Sequence, residues 1–167
     1  TVISGMGELH LEIVRNKLVR DMGLNVRIGK PSVAYKETIR SSGEAEGRFV
    51  RQAGGRGHFA VVQLRVEPSG DTDGEEITFV DETRGGVIPR EFIASVEEGA
   101  RGAASSGPLA GYPMLQIKVT LLDGQAHPVD SSDIAFQQAG ALALDAAILK
   151  ASPVFLEPVM SLVVLTP

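Results

Sequence analysis

The chain contains no cysteine among its 167 residues. That absence excludes disulfides, thiolate metal sites and a cysteine nucleophile, and it fits a reducing compartment. Long apolar runs are missing too: none approaches the roughly 18 residues that cross a bilayer. The N-terminal TVISGMGELH has neither the basic region nor the apolar core of an export signal. Positive charge is scarce, with 16 Lys and Arg against 21 Asp and Glu and a net charge of −5. A general polyanion binder would normally be basic overall.

Catalytic and metal-binding patterns are equally thin. The three histidines, at positions 10, 58 and 127, have no metal-ligand spacing. His10 and Glu12, two apart on one helix, point to different faces and cannot chelate one ion, so His10 is read as structural. No serine sits in a G-x-S-x-G elbow. Gly5-Met6-Gly7 lacks the third glycine of a dinucleotide fingerprint, and no Gly-Lys-Ser/Thr follows Gly54 to Gly57. Asp71-Thr72-Asp73-Gly74 has two acidic residues of a calcium loop without the later ligands and reads as a solvated turn. The segment is expected to hold no cofactor and no metal.

What is present is an ordinary globular composition, 43% hydrophobic and 22% charged. Residues 7–22 carry helical spacing, with Leu11, Val14 and Leu18 on one stripe and Gly23 at the stop. Residues 25–28 and 33–39 read as extended, and the polar stretch 41–47 as a boundary loop. A hairpin is expected from a strand at 48–53, a turn at 54–57 and a return strand at 58–67, where Val62, Leu64 and Val66 alternate with polar residues. Further strands are expected at 77–80 and 115–122. One helix should start with Pro89 at its first position and run to about 104. Another should be capped by Asp130, Ser131 or Ser132 and run to about 151, on a stripe of Ala135, Ala139, Leu142, Ala146 and Leu149. The sequence begins without Met and stops within the β-rich run Val163 to Pro167, as an excised piece of a larger protein would.

Two loops invite a functional reading. Arg48, Arg51 and Arg56, with His58 and no carboxylate, surround the glycine-rich turn of Gly54, Gly55 and Gly57. Glycines let backbone amides approach a phosphate or base closely. Arg56 could fork onto phosphate or stack on a base. Gln52 could bond a base edge or a 2′-OH, the group that distinguishes RNA. The plainer alternative is a hairpin whose glycines only satisfy turn geometry. His127, followed by Pro128 in a loop that runs into a helix, is either an outward contact or a locally bonded side chain. If both loops lie at one end of the domain, a composite surface results.

The blocks GMGELHLEI, GKPSVAYKETI, RQAGGRGHF, GGVIPREFI, SGPLAGYP, VTLLDGQAHPVDSSDIAFQQAG and LEPVMSLVVLTP resemble successive segments of translation elongation factor G across nearly the whole chain. The resemblance implies an α+β fold. Residues 1–39 would be the last part of the family's third domain, half of a ferredoxin-like split βαβ unit. Residues 40–157 would be the fourth, tip domain, a ribosomal protein S5 domain 2-like βαβ fold with a left-handed crossover, an exception to the usual hand. Residues 158–167 would open the fifth domain.

By the same resemblance the parent protein is a cytoplasmic, monomeric translational GTPase, with GTP and magnesium held in a domain outside this sequence. It would promote translocation of tRNA and mRNA on the ribosome. Its tip would enter the small-subunit rRNA decoding region, with Arg51, Gln52, Gly54, Gly55, Arg56, Gly57, His58, His127 and Pro128 contacting RNA and no membrane involved. The family commonly has Gln at the place of His58, Gly at Ala60, an aromatic at Ala126, an acidic residue at Pro128 and Lys at Gln137. These departures leave room for a paralogue acting in ribosome recycling or ribosome protection. A stand-alone RNA-binding module is a third alternative.

Overall fold

The computed structural model describes residues 3, 5–27, 29, 35–52, 57–70 and 77–157. The chain divides into two compact units, residues 1–34 and 35–167. In the first, helix α1 spans Glu8–Asn16 and continues into a π-helical turn, Lys17–Asp21. Its half-buried residues are Leu11, Val14 and Leu18, the stripe expected from spacing. Gly23 ends it at φ +61°, a left-handed conformation that costs glycine little. No strand forms over 25–27, and Ile28 and residues 33–34 lie outside the described residues.

The second unit is a two-layer α+β structure. Its strands are β1 (Lys36–Ile39), β2 (Gly43–Arg51), β3 (His58–Pro68), β4 (Ile77–Asp81), β5 (Ile117–Ala126) and β6 (Pro153–Leu156). Its helices are α2 (Arg90–Ala104) and α3 (Asp133–Lys150). The main sheet has the order β2-β3-β5-β4, antiparallel except for the parallel β4–β5 pair that α2 connects. A separate antiparallel ribbon joins β1 to β6, with Lys36 opposite Leu156 and Ile39 opposite Pro153. Pro153 opens its strand, a position where a missing N–H is tolerated. The core lies between the sheet's inner face, including Val62, Leu64, Val66, Ile117, Val119 and Leu121, and the two helices, with Val96, Phe136, Ala139, Ala143 and Ala147.

Three expectations shift, each for a packing reason. Residues 43–47 are strand, not boundary loop: Gly43, Ala45 and Gly47 are buried and alternate with exposed glutamates. A Cβ on Gly47 would run into the backbone of Ala139 and Ala143, and one on Gly43 into that of Ala147. The glycines therefore let α3 lie almost on the strand. On α3 the buried face is Ala135, Phe136, Ala139, Gly140, Ala143, Leu144, Ala147 and Ile148, whereas Leu142 and Leu149 are 46% and 65% exposed. Small residues win the inner face because nothing larger fits over Gly43 and Gly47. Strand β5 runs four residues past its expected end. A bulge at Leu122 sets Leu121 opposite Leu64 and Asp123 opposite Gln63, so Gly124 is buried where strict alternation would expose it. A smaller shift places Pro89 as the cap residue, one before the helix, with φ −56° and ψ 138°.

Candidate nucleic-acid interface

Topology alone brings the two loops together. β3 lies between β2 and β5 and is antiparallel to both. The start of β3 therefore sits beside the end of β2, where Arg51 faces His58, and beside the end of β5, where Ala126 faces Ala60. The hairpin tip and the β5–α3 loop consequently share one end of the sheet.

Hydrogen bonds then join them. Asp130 is the principal tie: its Oδ1 accepts the Gly57 N–H at 3.1 Å, and its carbonyl accepts the Phe59 N–H at 2.9 Å. Ser131 Oγ donates to the Phe59 carbonyl at 2.8 Å and accepts the His127 N–H at 2.8 Å. Ser132 caps α3 by accepting the Ala135 N–H at 3.3 Å and lies 3.4 Å from His58 Nδ1. The Asp-Ser-Ser run thus shapes the helix start, as its capping chemistry suggests. It also locks one loop to the other, which no local pattern reveals.

The His127 ring is fixed from within its own turn. Its Nδ1 faces the N–H groups of Val129 at 3.3 Å and Asp130 at 3.1 Å. Accepting from them assigns the neutral ring's proton to Nε2, the edge away from the turn. Asp130 Oδ2 stands 3.4 Å from the same Nδ1. The ring packs 6.0 Å, centroid to centroid, from Phe59, while His58 lies 6.2 Å from Phe49. The Arg51 guanidinium carbon sits 5.2 Å from the Phe49 ring centre, a cation–π arrangement that steadies a long, exposed side chain.

Of the sequence-derived candidates, Gly57, His58 and His127 are tied into this one end. Arg51, Gln52, His127 and Pro128 are exposed there, and Gly57 and His58 are half-buried. Gly54, Gly55 and Arg56 lie outside the described residues. Sequence reasoning undervalued Asp130 and Ser131 as cross-loop ties and missed Phe49 and Phe59 as the platforms behind the rings. Aromatics flanking a glycine-rich turn were the available signal. Among the described residues no group of three or more His, Asp or Glu side chains could hold a metal ion. Nor is any described helix long and apolar enough to cross a membrane.

Residues 31–152 match the family model described as elongation factor G, domain IV. The chain belongs to the elongation factor G family. Residues 1–30 match the family's domain III. Elongation factor G of Thermotoga neapolitana is 53% identical over 167 residues, covering 100% of this chain and 24% of that protein. Elongation factor G of Pseudothermotoga lettingae is 54% identical, covering 99% of this chain and 24% of that protein. The chain thus spans about a quarter of the length of these elongation factor G relatives. Among solved structures, a protein of Thermus thermophilus superposes with a TM-score of 0.75 at 40% identity, over 90% of this chain and 22% of that one.

Proposed function

We propose that this chain is the tip-bearing part of a ribosomal GTPase that promotes GTP-dependent translocation of tRNA and mRNA in the cytoplasm. In this reading residues 1–39 end the third domain, 40–157 form the tip domain and 158–167 open the fifth. GTP and magnesium belong to a domain outside this sequence, and their hydrolysis chemistry supplies the free energy. The residues here make the contact that turns motion of the body into displacement of RNA.

The observation that carries the reading is the pairing of two loops at one sheet end, locked through Asp130 and Ser131, on a body belonging to this family. Arg51 and Arg56 would take phosphate or stack on a base. Gln52 would bond a base edge or 2′-OH, and the glycines would let the backbone come close. His58, His127 and Pro128 would supply flat faces and, for the neutral His127, an Nε2 donor. Each good contact or stack contributes about 1–3 kcal/mol. The proposed partners are the small-subunit decoding region, tRNA and mRNA.

The test is to time tRNA–mRNA movement on pre-translocation ribosomes, using the intact parent factor with GTP. His127→Ala should slow movement about tenfold, the scale of one lost stack, with ribosome-stimulated GTP hydrolysis preserved. Arg65→Ala should match wild type, because Arg65 is committed to Glu44 at 2.6 Å far along β3 from the tip. Loss of hydrolysis in parallel with movement would refute the assignment of His127. No movement with wild type would refute the translocation reading itself.

A further inference from the structure

Val129 is apolar, 61% exposed and set at the apex of the second loop. The loop turns its polar atoms inward around it. The Val129 and Asp130 N–H groups face His127 Nδ1, the Ser131 N–H bonds the His127 carbonyl, and the Asp130 carboxylate receives the Gly57 N–H. What the turn of residues 128–130 presents outward is the Pro128 ring, the Val129 methyls and the Nε2 edge of His127. No lysine or arginine occurs between Gln125 and Gln137. This loop therefore offers shape and apolar surface where the hairpin beside it offers arginine.

We infer that Val129 is a further RNA-contacting residue, its two methyls packing on a ribose or base face. The inference rests on the ribosomal reading above and adds the kind of contact made. A-form RNA presents riboses and base edges across a wide, shallow minor groove, and apolar side chains press against bases at many nucleic-acid interfaces. Such a contact releases no counterions, so its share of binding does not vary with salt as an arginine–phosphate contact does. Its position is held: the ties that fix His127 and Asp130 also fix the backbone of Val129. An isolated exposed valine needs no purpose in itself. Leu149, 65% exposed on α3, is an equally exposed apolar residue outside the loop and serves as the comparison.

The experiment uses the intact factor on pre-translocation ribosomes at two ionic strengths, with Val129→Thr, Val129→Asp, His127→Ala and Leu149→Thr. Val129→Thr keeps the branched shape and changes only polarity. Movement should slow about threefold in Val129→Thr and about tenfold in Val129→Asp, against the cost of a lost base stack. The threefold ratio should persist at both ionic strengths, and Leu149→Thr should equal wild type. Melting temperatures should be unchanged in all three, because each site is exposed. Wild-type rates in both Val129 variants, alongside a slowed His127→Ala, would overturn this inference and leave the functional reading standing. A Val129→Thr defect that tracks a lowered melting temperature would also overturn it. Failure of the wild-type factor to move tRNA would remove both.

Discussion

Glu37 shows how one side chain can hold a fold from a position that looks ordinary. It has no exposed surface, and its carboxylate accepts three backbone N–H groups: Leu109 at 3.0 Å, Ala110 at 2.9 Å and Tyr112 at 3.1 Å. Its own N–H and carbonyl bond Pro113 and Leu115. Gly107 leaves the space the carboxylate fills, since a Cβ there would collide with it. Burying a carboxylate is tolerable only when such bonds replace water. Glu37→Ala would leave three buried donors unpaired at roughly 1–3 kcal/mol each. A loss of about 3 kcal/mol or more is expected, read as a lower urea midpoint at unchanged m-value. Little of this was legible: Lys36-Glu37-Thr38-Ile39 reads as a strand, but Glu37's partners lie more than 70 residues away. The same limit hid the Asp130–Gly57 tie, whereas the glycines, arginines and histidines of the tip were visible because their chemistry is local.

For whole elements, the approach of α3 to β2 decides a sign. Glycine inside a strand ordinarily weakens it, so Gly→Ala would be expected to stabilise. At Gly47 the new methyl would meet α3 backbone, which cannot rotate away as a side chain would. Gly47→Ala should therefore destabilise by about 1–3 kcal/mol, the range of core overpacking, measured by thermal or urea melting. Stabilisation would show that the helix can shift outward. The α2–α3 contact follows the same logic: Gly99 lies against the Gln137 backbone and Gly140 against Val96, with Phe92 stacked on Phe136 at 4.9 Å. Gln137 itself donates to Glu98 at 2.7 Å, so the uncharged side chain still bridges the helices. Both helices and the strands β3 and β4 could be read from periodicity. The inner face of α3 could not, because the helix is apolar nearly all round and residue size, not hydropathy, selects the side that packs. The far half of β5 escaped for a different reason, since the bulge at Leu122 breaks the alternation on which strand reading depends.

For the whole molecule, charge sets the terms of any RNA contact. With a net charge of −5, the chain gains little from the counterion release that drives general binding to nucleic acid. The 167-residue chain alone should bind free RNA weakly and without sequence preference, as measured by fluorescence anisotropy at physiological salt. Tight, sequence-specific binding would favour an independent RNA-binding module over a part that works only within a larger factor. The family was legible because short, glycine- and proline-punctuated blocks run in order along the chain. The fold class followed from it.

The ribbon of β1 and β6 has a consequence for how such a unit could be exchanged. Lys36 and Leu156 are paired residues, so their Cα atoms stand only about 5 Å apart, as across any antiparallel ladder. All that lies between them in sequence is, in effect, a long insertion hung from a two-strand stem. A host protein needs only one surface turn to accept such a cassette, because its own chain is barely parted. Tips of different chemistry could thus be traded between bodies as single pieces, without redesign of either.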